Sequence, residues 1–276
     1  MASTAFQTQY RQEFIAGFEQ RQSLVRKTVT TEAQVQGNSA VFLVADSGSA
    51  NAVTRGVDGL IPARADSLTQ NTATLAEWHD LVRRTGFNIY ASQGDGRRIM
   101  QQTTMGVLNR KVDSDIIAAL ETGTQDTGTA ATMSLDLVMY AVTILGNNAV
   151  QLDGNVSALI TPAAHAYLMQ TKEFANVDYI NNKPFDGNPM AYRWAGVNFI
   201  VHPNLTGKAT SAEKCIVYHK DAIGHACDLE SIRTDADYDR EQDYSWARAS
   251  AFMGSKLLQN SGVVIVNHDG SAYAAQ

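Results

Sequence analysis

A long polar stretch between two strand-like segments constrains this chain more than any other feature. The first segment, Ala40–Gly48, reads "AVFLVADSG" and is typical of a strand that ends in a turn. Residues 48–72 are rich in glycine, serine, asparagine and aspartate, and a second strand-like segment returns from about Thr72. Connections of this length are uncommon inside a compact domain unless they are functional. The pattern therefore predicts an extended hairpin with little core of its own, steadied by something else, such as another chain.

The N-terminal 38 residues are polar and contain few large apolar side chains. Their aromatic residues recur at every fourth position, which places them near one face of a helix: Phe6, Tyr10, Phe14 and Phe18. Such a helix could pack on its own domain, or it could dock on a neighbouring subunit as an arm. Because the segment is too polar to make a core alone, we favour the arm.

A single long helix is predicted between Gly94 and Gly123. Apolar residues recur there at helical spacing over roughly 25 residues, or about 38 Å at the usual rise per residue. Asp95 can cap the start and Gly123 can end it. The two glycines around Asp95 do not match a phosphate-binding GxGxxG loop, because the spacing fails and no apolar strand precedes them.

The second half of the chain has an α/β pattern after a linker-like segment at residues 122–133. Ser134 is expected to start a helix that closes at Gly146 and Asn147. A buried strand is expected at Val156–Pro162, with Thr161 and Pro162 opening the next helix. Further strands are predicted in "YRWAGVNFIVHP", "KCIVYH" and Gly262–Gly270, and "KDAIGHAC" is predicted to be a short helix.

Five acids alternate along "DADYDREQDY", from Asp235 to Tyr244. An EF-hand loop is excluded, because Arg240 and Trp246 stand where that loop needs a glycine and a glutamate. A metal-dependent hydrolase that uses Asp235, Asp237 and Asp239 is an open alternative, although acids on one strand face do not converge on a point. We favour a hairpin whose polar tip is Asp239–Gln242 and whose acids serve a surface.

Composition restricts the remaining function classes. The net charge of −6 does not fit a sequence-specific nucleic-acid binder. The two cysteines, Cys215 and Cys227, are too few for a zinc or disulfide scaffold and are expected to be buried thiols. The sequence contains no HExxH, GxSxG or GxxxxGK[ST] motif. No enzymatic activity, metal or cofactor is therefore expected.

The order of these elements resembles the major capsid protein of tailed bacteriophages, which has the Hong Kong 97-like fold. The residues that carry the resemblance are "VTRGVDGLIPARADSLTQNTATLAEWHDLVRRTGF" at 53–87, "DSDIIAALETGT" at 113–124 and the closing run at 218–266. The resemblance implies an α+β fold with these parts: an N-terminal arm, 1–38; an E-loop hairpin, 39–86; a peripheral domain with its spine helix, 87–126; an α/β axial domain, 127–228; a peripheral β hairpin, 229–257; and a C-terminal strand that returns to the axial domain, 258–276.

The function implied is self-assembly through pentamers and hexamers into an icosahedral shell around double-stranded DNA, formed in the host cytoplasm and found in the virion. Because the arm begins almost at Met1, a separate scaffold protein is expected, with a portal and, in some members, a decoration protein. An encapsulin-type nanocompartment shell is the alternative with the same fold. The expected intersubunit residues are those of the arm together with Arg55, Asp58, Arg64 and Asp66 of the E-loop, and Asp237, Asp239, Arg240 and Glu241 of the peripheral hairpin.

One feature departs from the best-known family member, which joins its subunits by isopeptide bonds from an E-loop lysine. Between Ala40 and Leu81 the basic residues are Arg55 and Arg64, and there is no lysine. Arginine cannot replace it, because the guanidinium stays protonated and is a poor nucleophile. No covalent crosslinking is therefore expected.

Overall fold

The computed structural model describes residues 22–32, 35, 37–47, 50–64, 66–87, 96–172, 191–228 and 233–274. It is a mixed α+β structure, as the sequence predicts. Among these residues, the smaller of two compact units holds 22–23, 77–87, 96–111 and 233–252, and the larger holds the remainder. None of the described helices combines the length and apolar character needed to cross a membrane.

A five-stranded sheet forms the centre of the larger unit, in the order β12-β8-β5-β7-β6. Its strands are β5 (Val156–Ile160), β6 (Ala191–Trp194), β7 (Val197–Val201), β8 (Glu213–His219) and β12 (Val263–His268). β5 and β7 are parallel, and the other pairs are antiparallel. Every residue of β5 is buried, because the strand lies in the middle of the sheet. This explains its continuous apolar sequence.

Two helices pack against the apolar core of this sheet: α2 (Leu135–Asn147) and α3 (Pro162–Gln170). The Ser134 hydroxyl accepts the Leu137 N–H at 3.3 Å, and the Thr161 hydroxyl accepts the Ala164 N–H at 3.2 Å. Both caps satisfy backbone donors that a helix start would otherwise leave unpaired. Both predicted helix starts and the predicted first residue of β5 are confirmed, whereas β5 ends at Ile160, two residues before the predicted Pro162.

The prediction of a short helix at "KDAIGHAC" is wrong. Only Lys220–Ala222 is helical, as a 3-10 turn, and β9 (Ile223–Cys227) follows as a strand buried at every position. β9 lies between β1 (Thr30–Glu32), which runs parallel to it, and residues 253–257 of an antiparallel strand. A Cβ at Gly224 would lie 2.9 Å from the Phe42 ring. A short apolar run covered on both faces carries no periodicity that separates helix from strand.

The predicted hairpin is present in the larger unit. β2 (Ser39–Asp46) pairs antiparallel with β3 (Ser67–Thr74), and residues 47–66 connect them. The return strand begins earlier than expected, at Ser67, and ends at Thr74, so that Leu75 separates it from β4 (Ala76–Thr85). At this corner a Cβ on Gly254 would lie 2.1 Å from the Thr74 carbonyl oxygen, so only glycine fits there.

The long helix α1 (Gly96–Leu120) has 25 residues, which confirms the prediction. In the smaller unit its Met105 and Leu108 pack on Trp78 of β4 and on Ala249 and Ala251. The two alanines belong to β11 (Tyr244–Leu257), which pairs with β4 and with β10 (Arg233–Asp239). Lys111 Nζ lies 3.7 Å from the centre of the Trp78 ring and forms a cation–π interaction with it.

Candidate intersubunit surfaces

The connection at the end of the β2–β3 hairpin exposes all four of its predicted contact residues: Arg55, Asp58, Arg64 and Asp66. The structure shows that three of them already have local partners. Arg55 donates to the Gly59 carbonyl at 3.0 Å, and Arg64 pairs with Asp66 at 2.5 Å with both side chains more than half exposed. Exposed pairs of this kind contribute at most about 1 kcal/mol. These charged residues therefore contribute to the conformation of the loop more than to strong contacts with another subunit.

Apolar side chains dominate the exposed surface of the same connection, which we name the hairpin apex, residues 50–64. The exposed fractions are 62% for Val53, 74% for Leu60 and 66% for Ile61, and Val57 is fully exposed. A tight turn holds them, since Gly56 N–H donates to the Leu60 carbonyl and Gly59 N–H to the Gly56 carbonyl, both at 2.9 Å. Contiguous exposed apolar groups of this kind mark interaction sites.

One face of the hairpin continues this apolar surface. The register places Val41 opposite Thr72, Leu43 opposite Gln70, and Ala45 opposite Leu68, so these six side chains share a face. Leu43 and Leu68 are 73% and 72% exposed. The other face carries Ala40 and Ala73, which pack with Ala226, Val35 and Phe42. The two-stranded ribbon therefore buries one face in its own subunit and exposes the other face to solvent.

These exposed apolar residues were not among the predicted contacts, because the charged residues of the connection were given more weight. The signal was present in "AVFLVAD", which is apolar on both faces of the strand. A ribbon with one face in water should instead alternate between apolar and polar residues. The arm residues Phe6, Tyr10, Phe14 and Phe18 lie outside the described residues.

The acidic stretch forms the predicted antiparallel hairpin, with a turn at residues 240–243, one position later than expected. Asp235, Asp237 and Asp239 lie on one face of β10, opposite Arg248, Trp246 and Tyr244 of β11. Arg248 bonds to Asp235 at 3.1 Å, and its guanidinium lies 5.8 Å from the Trp246 ring centre. The acids of β10 thus face cationic and aromatic side chains of β11, and the Arg248 charge reduces the repulsion between the acids.

Two acids, Asp239 and Asp243, form hydrogen bonds within the turn. Asp239 accepts the N–H groups of Glu241 at 2.9 Å and Gln242 at 3.3 Å, and these bonds lower the pKa of its carboxyl. The Tyr238 hydroxyl donates to Asp243, which raises the pKa of Tyr238. Asp243 has a φ of 48° and accepts the Gly86 N–H on its carbonyl at 3.3 Å. Asp239 therefore holds the turn, whereas Asp237, Arg240 and Glu241 are exposed around it.

Across the parts of the chain that the structure describes, no group of three or more histidine, cysteine, aspartate or glutamate residues is arranged to hold a metal ion. The carboxylates of β10 follow one another along a strand instead of converging. Burial raises the pKa of the Cys215 thiol to about 12, so that this thiol stays protonated and unreactive. No observation favours the hydrolase alternative.

The chain matches a known protein family, and its fold is similar to solved structures. A family described as "Phage capsid protein" matches residues 2–270. The fold is similar to a structure of Mycobacterium phage Che8, with a TM-score of 0.76, 15% identity, and coverage of 96% of this chain and 97% of that chain. It is also similar to the capsid of a native GTA particle, with a TM-score of 0.71, 14% identity and 96% coverage of both chains.

A structure of Gordonia phage Cozz gives a TM-score of 0.71 at 13% identity, with coverage of 96% of this chain and 91% of that chain. No curated protein sequence matches the chain. At these identities the structures establish the fold, and the family match establishes the membership. The chain belongs to the phage capsid protein family and has the Hong Kong 97-like fold of the major capsid proteins of tailed bacteriophages.

Proposed function

We propose that this major capsid protein assembles through pentamers and hexamers into an icosahedral shell that encloses the double-stranded DNA of a tailed phage. The observation that carries the proposal is the family match over residues 2–270, because the members of this family are structural shell proteins and not enzymes. A shell multiplies modest contacts by symmetry, so a subunit needs several exposed surfaces and no catalytic site.

The β2–β3 hairpin is proposed to be the E-loop that lies across a neighbouring subunit. Its exposed leucines, Leu43 and Leu68, and the apolar side chains of the apex support this. Full burial of one such side chain contributes about 1.5–3 kcal/mol, which exceeds the contribution of an exposed ion pair. Arg55, Asp58, Arg64 and Asp66 are then proposed to select the partner and the register more than to supply affinity.

The smaller unit is proposed to belong to the peripheral domain, and the five-stranded sheet of the larger unit to the axial domain. The long helix and the β10–β11 hairpin of the smaller unit support the first assignment. Strand β12 supports the second, because its pairing with β8 returns the end of the chain to that sheet. Asp237, Asp239, Arg240 and Glu241 are proposed to stand at the contact between peripheral hairpins.

The N-terminal arm, through Phe6, Tyr10, Phe14 and Phe18, is proposed to bind a neighbouring subunit. A separate scaffold protein and a portal are proposed partners during assembly in the host cytoplasm, and a decoration protein is a further one. The net charge of −6 is compatible with a wall around DNA, since tight phosphate binding would hinder packaging and release.

The apex provides the test. The triple variant Val57→Ser, Leu60→Ser and Ile61→Ser should leave a folded subunit that forms few or no closed shells in negative-stain micrographs. The matched control, Asn51→Ser with Thr54→Ser, changes exposed polar residues of the same loop and should assemble normally. Normal yields of icosahedral particles from the triple variant would contradict the proposed role of the hairpin.

Shells of the unaltered chain test the prediction that the subunits are not covalently crosslinked. Because the hairpin carries no lysine, mature shells boiled in detergent should give a single band at 29.9 kDa. A ladder of covalent oligomers that survives reductant would show that the subunits are joined by another route.

A further inference from the structure

A buried carboxylate on helix α1 binds the first two residues of the N-terminal segment of the larger unit, Leu24 and Val25. Asp113 is 1% exposed. Its Oδ2 accepts the Leu24 N–H at 3.0 Å, and its Oδ1 accepts the Val25 N–H at 3.3 Å. One side chain thus binds two consecutive backbone amides that lie nearly ninety positions away in sequence. Leu24 is the first residue of the larger unit, which also contains Asp113.

His202 fixes the orientation of this carboxylate. Its side chain is 1% exposed, and its Nε2 lies 3.3 Å from Asp113 Oδ2. The Asn204 N–H points at Nδ1 at 3.2 Å, so Nδ1 is the acceptor and the proton belongs on Nε2. His202 therefore donates to Asp113 through Nε2. The backbone N–H of His202 donates to the Ile160 carbonyl at 2.9 Å, which ties the backbone of His202 to the central sheet.

The residues from Val25 to Glu32 make further contacts within the larger unit. The Thr28 hydroxyl donates to the Val25 carbonyl at 2.7 Å and is also hydrogen-bonded to the buried Tyr218 hydroxyl. Val25 and Val29 are 0% and 2% exposed, and β1 then pairs with β9. We name residues 24–32 the arm root. The arm root is therefore part of the larger unit, and Asp113 contacts its first two residues.

We propose that Asp113, oriented by His202, is a positioning residue for assembly, because it fixes Leu24 and Val25, the first residues of the arm root, and so sets which neighbouring copy the arm contacts. This inference rests on the proposed function of the arm as an intersubunit contact. A carboxylate suits the task, since three donors converge on its two oxygens. An asparagine offers one acceptor oxygen and turns an NH2 group toward a donor, which leaves a buried amide unsatisfied.

The test compares Asp113→Asn with Asp115→Asn in the full chain. Asp115 is the matched control, because it lies two residues further on the same helix and accepts the Ser255 hydroxyl at 2.8 Å. In Asp113→Asn, hydrogen exchange of the peptide that contains Leu24 and Val25 should quicken about tenfold or more, because the lost bonds involve a charged acceptor. The Asp115→Asn variant should leave that peptide unchanged. Shells of Asp113→Asn should be fewer or aberrant.

His202 supplies a second pair of variants in case Asp113→Asn fails to fold. His202→Gln keeps an N–H donor near the Nε2 position and should retain most of the protection at Leu24 and Val25. His202→Phe keeps a ring of similar shape without the donor and should lose it. If the two variants exchange alike at this peptide, His202 does not orient Asp113, and the proposal is overturned.

Three further results would count against the proposal. Unchanged exchange at Leu24 and Val25 in Asp113→Asn, or an equal rise in the peptide that contains β5, would show that Asp113 has no local positioning role. Deletion of residues 2–21 tests the arm separately. If that deletion assembles like the unaltered chain while Asp113→Asn still quickens exchange at the arm root, the arm has no assembly function and Asp113 does not act through it.

Discussion

The central sheet of the larger unit and the β2–β3 hairpin use apolar residues for opposite purposes. In the sheet, all five residues of β5 are buried and contribute to the subunit's own core. In the hairpin, Leu43 and Leu68 are each more than 70% exposed, and the apex adds four more exposed apolar side chains. The hairpin residues contribute little to the isolated subunit. The difference teaches that apolar content alone does not locate a core, and it supports the proposal that the exposed apolar surface of the hairpin contacts neighbouring subunits.

The largest expected effect comes from making the same change in both regions. Leu159→Ala, in β5 at 0% exposure, should lower the free energy of unfolding of the unassembled subunit by about 2–5 kcal/mol, because it leaves a cavity. Leu60→Ala at the apex should change it by less than about 0.5 kcal/mol. Urea unfolding followed by circular dichroism measures both values. Equal losses would mean that the apex packs inside its own subunit.

A smaller effect on the subunit but a clear effect on the shell is expected from Leu43→Ser with Leu68→Ser. The unfolding of the unassembled subunit should change by less than about 1 kcal/mol, since both side chains are already in water. The denaturant midpoint for particle dissociation, read by light scattering, should fall. Gln70→Ser with Thr72→Ser, on the same face, is the control and should leave that midpoint in place. If the leucine and control variants dissociate alike, the exposed hairpin face is not a contact surface.

The smallest effect is expected from removal of the Arg64–Asp66 pair. Because both side chains are more than half exposed, Arg64→Ala with Asp66→Ala should alter shell stability by no more than about 1 kcal/mol per subunit. The difference from the unaltered shell should shrink further in 1 M salt, where the Debye length is about 3 Å. Particle dissociation at low and high salt measures this. A larger loss than the leucine variant gives would reverse the ranking of apolar and charged contacts.

The sequence predicts best where a local rule decides the structure. Ser134 and Thr161 mark helix starts because their hydroxyls cap nearby amides, and the length of α1 follows from periodic spacing. The sequence predicts structure less well where burial on both faces removes the hydrophobic periodicity, as at Ile223–Cys227. The position of the β10–β11 turn was predicted to within one residue, because its polar tip interrupts the alternation.

The candidate surfaces were harder to predict, for two physical reasons. The weight given to Arg55 and Arg64 followed from their charge, whereas the exposed area of Leu60 and Ile61 depends on tertiary structure. The contact of Asp113 with Leu24 joins positions far apart in the chain, and no spacing rule reaches across such a separation. Asp239 is intermediate, since its turn was predicted but its bonds to the Glu241 and Gln242 amides were not.

The arm root also sets an order of events during synthesis of the chain. Thr28 and its hydrogen-bond partner Tyr218 are separated by 190 positions, and β1 needs β9, which follows Tyr218, in order to pair. At a translation rate of about 5–20 residues per second, the arm root emerges roughly 10–40 s before its partners do. Contacts this distant in sequence also slow folding, because the intervening chain must be ordered first. Strand β1 therefore has no strand partner until most of the polypeptide has been made, whereas Asp113, which binds Leu24 and Val25, emerges much earlier. The arm root is thus completed in two stages during synthesis, and the second stage waits for Tyr218 and β9.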